Sequence, residues 1–327
     1  MLKKLVTAAT FLTLLVIVFG AFVRLSDAGL GCPDWPGCYG NLVVSADAAN
    51  HERAHELNER KAWIEMTHRY LAGTLGLLIL AIAGLSWMQR DRDHFGSPAL
   101  ATCLVALVAF QALLGMWTVT LLLKPAIVTL HLLGGMATLA LLVWLMMRIS
   151  ARARAAQRGH ARNISAVASA LGIVILFVQI GLGGWVSSNY AGLACTDFPL
   201  CDAQWAPEMA FASGFHVVRE LGVDAAGEPL SPEALNAMHW LHRLGALVTV
   251  IYLGALSIWL ARNSTLRVYA SLLAGLLVVQ IGLGVANVLL GLPLALAVAH
   301  NAGAALLLMT MVMLTFRVRS KGENVWP

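Results

Sequence analysis

Long apolar runs separated by short polar connections extend along the whole chain. Eight of them reach the roughly 20 residues needed to cross a hydrocarbon core about 30 Å thick, near 5–23, 63–88, 98–122, 126–147, 164–187, 236–260, 267–290 and 294–316. The first follows Lys3 and Lys4, but its 19 residues exceed the apolar region of a signal peptide, about 7–15 residues, and seven further runs follow. It is therefore read as a retained helix, and the expected fold is an all-α integral membrane protein with eight transmembrane helices.

Composition agrees with the pattern. Hydrophobic residues make up 59% of the chain and charged residues 12%, with a mean hydropathy of +0.76; soluble domains carry about 25% charged residues. A cytosolic enzyme, a disordered chain and a secreted disulfide scaffold are excluded. The net charge of +5 does not point to nucleic acid, because the basic residues are scattered between the runs and form no continuous face.

Their placement sets orientation instead, since basic loops stay on the cytoplasmic side. Lys3, Lys4, Arg90, Arg92, Arg148, Arg152, Arg154, Arg158, Arg162, Arg262, Arg267, Arg317, Arg319 and Lys321 fall on one side. Most acids, from Asp27 to Glu233, fall on the other. The reading is a multi-pass protein of the inner (plasma) membrane with both termini cytoplasmic and lipid as its surroundings.

Two long outer connections, about 24–62 and 188–235, alternate with tight turns at Lys124-Pro125 and Gly291-Leu292-Pro293. That alternation predicts a duplication, and the residues bear it. Cys32-Pro33-Asp34-Trp35-Pro36-Gly37-Cys38 aligns with Cys195-Thr196-Asp197-Phe198-Pro199-Leu200-Cys201. The match continues with His68-Arg69 against His242-Arg243, Gln111 against Gln280, and His131 against His300. An even number of spans per half gives both halves the same topology, related by an axis along the membrane normal. Two pseudo-symmetric four-helix bundles are expected, at 1–150 and 164–327, joined by a cytoplasmic linker at 151–163.

The cysteine pairs Cys32–Cys38 and Cys195–Cys201 face the oxidising side, where disulfides form; structural stapling and a redox role both remain open. Cys103 stands alone in the third span as a small core residue. His51, Glu52, His55, Glu56 and Glu59 read as a solvated or interfacial helical face.

Among ten histidines, His68, His131, His239, His242 and His300 fall inside spans, where ionisable groups are costly and usually functional. His68, His131, His242 and His300 each follow the outer start of an even-numbered span by about six residues, so at 1.5 Å per residue they share a depth of about 9 Å. A single intramembrane histidine is often a helix-packing hydrogen bonder. Four at one depth suit two axial imidazole pairs, each for a haem iron, better than zinc, which usually takes four converging ligands. Gly73, Gly76, Gly134, Gly135, Gly245 and Gly303 follow these histidines; they could leave room for a porphyrin or for close helix packing.

The halves differ one turn before the first histidine. Glu65 precedes His68 where His239 precedes His242, and three residues apart is one helix face. Glu65 could carry charge or protons in a reaction, or serve only as an interfacial partner of Arg69. Arg69 and Arg243 could pair with haem propionates or snorkel to the interface.

Glu65-x-x-His68-Arg69, His131, His242-Arg243, His300 and the two outer cysteine pairs resemble the bacterial haem A synthase family, cysteine-containing type, over nearly the whole chain. The resemblance implies an oxidoreductase that converts the methyl group at ring position 8 of haem O into the formyl group of haem A for terminal oxidase assembly. It implies haem b as resident cofactor on His242 and His300, haem O on His68 and His131, and Glu65 as the catalytic carboxylate. Haem O synthase and an electron donor are the implied partners, and a homo-oligomer is compatible with it. The competing readings are a diheme, quinone-linked electron carrier and a thiol–disulfide relay.

Overall fold

The computed structural model describes residues 1–44, 58–90, 97–152 and 163–319, without the side chains of 151, 152 and 163–165. Eight long helices, each apolar enough to cross a membrane, account for most of it: α1 (Leu2–Leu25), α2 (Glu59–Met88), α3 (Pro98–Thr120), α4 (Pro125–Arg152), α5 (Asn163–Ser188), then, after the one-turn α6 (Phe211–Gly214), α7 (Pro232–Ala261), α8 (Arg267–Leu289) and α9 (Leu294–Arg319). His51, Glu52, His55 and Glu56 lie outside the described residues, as does most of the expected linker.

Both α2 and α7 begin about one turn before the apolar count predicts. The Asn58 side chain accepts from Lys61 N at 3.0 Å, and the Ser231 hydroxyl accepts from Ala234 N at 3.3 Å. These caps satisfy amides that a helix end otherwise leaves bare. Each starts a polar helical turn above the apolar segment, invisible to hydropathy.

Each half closes into a ring. α1 packs on α2, α2 on α3, α3 on α4 and α4 on α1; likewise α5 on α7, α7 on α8, α8 on α9 and α9 on α5. Between halves, α1 meets α9, α4 meets α5, and α4 meets α9. Exchanging the halves turns the first contact into the second and the third into itself. At the outer end, residues 163 apart meet their own counterparts: Arg24 Nη2 donates to Ser187 O at 2.7 Å, and Tyr190 O–H donates to Asp27 Oδ1 at 2.8 Å. Self-pairing of equivalent positions is what a two-fold relation produces where its axis passes.

The short turns repeat too. Leu122 and Leu123 have φ of 50° and 58°, and Gly291 and Leu292 have φ of 70° and 60°. This left-handed pair lets Leu123 reach Gly29 and Leu292 reach Gly192, each with a methyl 3.3 Å from where a Cβ would stand. The turns thereby lie beside the two disulfide loops.

Apolar cores fill the opposite end. Leu2, Val6, Leu75, Ile79, Ile82, Leu104, Leu142 and Leu145 form one cluster within the N-terminal ring. A larger one joins the halves, packing Ile17, Met136, Leu139 and Val143 against Leu176, Leu253, Leu273, Leu308 and Met311. Between membrane helices such contacts act through close van der Waals packing, and here they close the bundles at the end away from the disulfide loops.

Candidate functional site

Above these cores the bundles open. Buried positions on α2 stop at Met66 and resume at Leu75, and on α7 they stop at His239 and resume at Thr249. On α3 the gap runs from Leu104 to Leu114, and on α8 from Leu277 to Asn287. His68 and His242 lie in the first two gaps, Gln111 and Gln280 in the others. All four expected histidines are half-buried. His68 and His131 belong to the N-terminal ring of helices, His242 and His300 to the C-terminal one.

A glycine on the preceding helix faces every one of them. A Cβ added to Gly20 would stand 2.9 Å from His68 Cε1, on Gly183 3.0 Å from His242, on Gly284 3.1 Å from His300, and on Gly115 3.4 Å from His131. At Gly20 a side chain would force the His68 ring to move, at Gly183 and Gly284 the ring would have to give by a few tenths of an ångström, and at Gly115 a Cβ would only touch it. Sequence reasoning missed these four, although Gly20 and Gly183 have the spacing of the cysteines, and Gly115 and Gly284 that of His131 and His300.

The glycines after the histidines have other tasks. Gly134, Gly245 and Gly303 make room for the side chains of Gln111, Gln179 and Gln280. Gly73 has nothing within 4 Å and leaves open space, whereas a Cβ on Gly76 would meet Val108 at an ordinary contact distance of 3.7 Å.

One turn above the first histidine of each half, the side chain reaches the disulfide loop. Glu65, buried at 5% exposure, accepts from Cys32 N at 2.9 Å through Oε2 and pairs with Arg69 Nη2 at 2.5 Å through Oε1. His239 Nδ1 accepts from Cys195 N at 3.2 Å. The interfacial Glu65–Arg69 pair is thus present, together with an anchor for the loop.

Arg69 and Arg243 act alike on the loops. Arg69 Nη1 donates to Asp34 O at 2.9 Å, to Pro36 O at 3.2 Å and to Gly37 O. Arg243 donates from Nη1 to Leu200 O at 2.6 Å and from Nη2 to Cys195 O at 3.0 Å and Asp197 O at 2.9 Å. Both guanidinium groups fill a ring of carbonyls instead of snorkelling into water. Arg243 Nε is buried without a partner, a donor left over for an anionic group.

Both cysteine pairs are bonded, Cys32–Cys38 with Cα atoms 4.9 Å apart and Cys195–Cys201 with Cα atoms 4.7 Å apart. Inside each loop an aspartate caps the turn. Asp34 accepts from Tyr39 N and Gly40 N at 2.6 and 2.8 Å, and Asp197 from Asp202 N and Ala203 N at 2.8 and 2.9 Å. The Ala203 amide, with that of Asp202, holds the Asp197 carboxyl below the usual carboxylate range. Cys103 is unbonded and exposed on α3, not in the core where the sequence places it.

The second outer loop has its own small core. Trp185 donates Nε1–H to Gly214 O at 2.9 Å and stacks on Phe215 with centroids 6.3 Å apart. Arg219, 5% exposed, donates to Asn189 Oδ1 at 2.6 Å, to His216 O at 3.1 Å and to Val223 O at 3.1 Å. Burial lowers its pKa. Nothing in its local sequence marks it as a loop anchor.

Among the described residues no three His, Cys, Asp or Glu side chains converge as metal ligands would. The donor set in each half is two imidazoles flanked by glycine and open space, which fits axial ligation of a flat macrocycle and not a tetrahedral centre. Known proteins carry the same arrangement of sequence. The family model described as cytochrome oxidase assembly protein matches residues 3–312, and a heme A synthase of Shewanella oneidensis is 43% identical, covering 95% of each chain. The chain belongs to the haem A synthase family. A more distant member, the heme A synthase of Shouchella clausii, is 31% identical over 98% of this chain and 99% of its own.

Proposed function

We propose that this protein is a haem A synthase that oxidises the ring-position-8 methyl group of haem O to the formyl group of haem A. The observation that carries the reading is two half-buried histidines in each ring, every one of them facing a helix glycine, with a buried carboxylate one turn from the first histidine of only one ring. In this reading His242 and His300 hold haem b as the resident cofactor, and His68 and His131 hold the substrate haem O. When bound, haem b supplies one-electron iron chemistry. Haem O synthase supplies the substrate, and a separate redox partner takes part in the four-electron oxidation of methyl to formyl. The division at 1–150 and 164–327 follows the two sites, and the basic connections put both termini on the cytoplasmic side of the plasma membrane.

The residues of the chain divide the remaining work. Glu65 lies a turn from His68, where a carboxylate can accept a proton from the substrate carbon or stabilise positive charge as it develops. The disulfide loops, held by Arg69 and Arg243, cover the outer end of each bundle and keep bulk water from the imidazole level. His239 supports the loop anchor without a carboxylate. The structural task therefore does not require a negative charge, and Glu65 supplies one where the substrate lies.

The test is Glu65→Gln, which keeps an acceptor for Cys32 N and removes the charge. Haem b should stay bound while haem A formation falls by about 100-fold or more, the usual scale of a lost acid–base group. Unchanged haem A formation overturns the catalytic role. Absence of haem from the purified wild-type protein would favour the thiol–disulfide relay.

A further inference from the structure

The first helix seam of each ring is finished differently at its outer end. Between α1 and α2, Phe19, Phe22, Arg60, Trp63, Ile64 and Thr67 line an open groove. By the spacings of Gly20 to Gly183 and of His68 to His242, Phe22 corresponds to Trp185, Arg60 to Ala234, Trp63 to Ala237 and Ile64 to Met238.

In the C-terminal ring the chain closes this seam itself. Trp185, Ala234, Ala237 and Met238 are all buried. Phe215 stacks on Trp185, Trp185 Nε1–H donates to Gly214 O, and a Cβ on Gly214 would stand 2.8 Å from Ala234 O. α6 and the residue after it thus lie directly on the first turn of α7. In the N-terminal ring Trp63 is 40% exposed where Ala237 is fully buried. The connection 45–57, outside the described residues, contains no Phe, Tyr or Trp to serve as a wedge like Phe215.

The chemistry of the groove points to what fills it. Its walls are aromatic and apolar and belong to two helices apolar enough to cross a membrane, in the first turns of α2, where a spanning helix meets the headgroups and Trp is favoured. Its rim is a cation. Arg60, in the first turn of α2, is exposed and makes no ion pair with another described residue. A guanidinium matches a phosphate diester in both charge and hydrogen-bond geometry, whereas an uncharged isoprenoid or a quinone ring would leave it unpaired. We propose that the groove holds one membrane phospholipid, its phosphate on Arg60 and an acyl chain between Phe19, Phe22 and Trp63. The lipid supplies the N-terminal ring with the wall that α6 and Phe215 supply to the other.

The experiment titrates full-length purified protein in detergent with phosphatidylglycerol whose acyl chains carry bromine, a contact quencher of indole fluorescence. The difference between wild type and Trp63→Phe isolates Trp63 among the ten tryptophans, and native mass spectrometry counts the lipid bound. One lipid per chain should saturate the quenching of Trp63. Arg60→Gln should weaken binding about fivefold, the scale of one cation at a lipid surface. Thr67→Trp, which fills the groove, should abolish the saturable component with Arg60 still in place. Circular dichroism checks that both variants keep their helices. Quenching that rises with lipid without saturating, or binding that neither variant alters, would mean bulk lipid only and overturn the site. A saturable change of Trp63 emission with farnesol or decylubiquinone, and none with phosphatidylglycerol, would assign the groove to an isoprenoid or a quinone. A dimeric mass that excludes lipid would assign it to a second copy of the chain. Either result overturns the proposal.

Discussion

Glu65 and His239 stand at corresponding points of the two helix rings, and each accepts the backbone amide of the first cysteine in its disulfide loop. Everything around them is repeated: an arginine in the loop carbonyls, a histidine one turn below, a glycine facing that histidine. Against this common background the differences are few and lie close together. The N-terminal half has a carboxylate; the C-terminal half has an imidazole, glutamine amides that donate to the backbone of His242 and His300, and an outer loop fastened by Arg219. A duplicated scaffold keeps what folding requires in both copies, so the residues that diverge indicate what each copy does. In the proposed reading they divide turnover in one half from retention in the other.

Exchanging the diverged residues is the sharpest way to break that comparison. Glu65→His gives the N-terminal half the C-terminal residue and keeps a nitrogen acceptor for Cys32 N, so the loop should hold while haem A formation drops by about 100-fold or more. His239→Glu, by contrast, should change haem A formation less than about threefold, since no reacting carbon lies there. Equal losses would mean that both residues serve only the loops. A smaller effect is expected from Arg219→Leu. Leaving Asn189 Oδ1 and the Val223 carbonyl without their donor should destabilise the second outer loop by about 2–3 kcal/mol. Limited proteolysis from the outer side should then cut the 202–231 region faster, with haem b content nearly unchanged; an unaltered cutting rate would show that the Trp185 stack alone holds the loop.

Much of this was legible before any coordinates. Eight apolar runs became eight helices, because a bilayer leaves a chain few alternatives to a hydrogen-bonded helix of the right length. The C-x-D-aromatic-P-x-C pairs became two bonded loops. What hydropathy could not reveal was polar or relational. The first turns of α2 and α7 are capped by Asn58 and Ser231 and read as loop. Arg69 and Arg243 were expected at haem propionates or in water, and their guanidinium groups fill carbonyl rings that exist only once the loops have closed. Gly20, Gly115, Gly183 and Gly284 matter because of what faces them across a helix pair, and a single sequence does not display that. Cys103, apolar in context, lies on an outward face of α3, since a span apolar on all sides does not reveal which side packs.

The central claim is that the same fold holds a permanent haem in one half and a changing one in the other. Acid–acetone extraction of purified protein, with the haems identified by mass, tests it directly in two variants, His242→Ala and His68→Ala. The account predicts that His242→Ala loses haem b, and that His68→Ala keeps haem b while haem O and haem A disappear from the preparation. Loss of the same haem from both variants, or of haem b from His68→Ala alone, would contradict it.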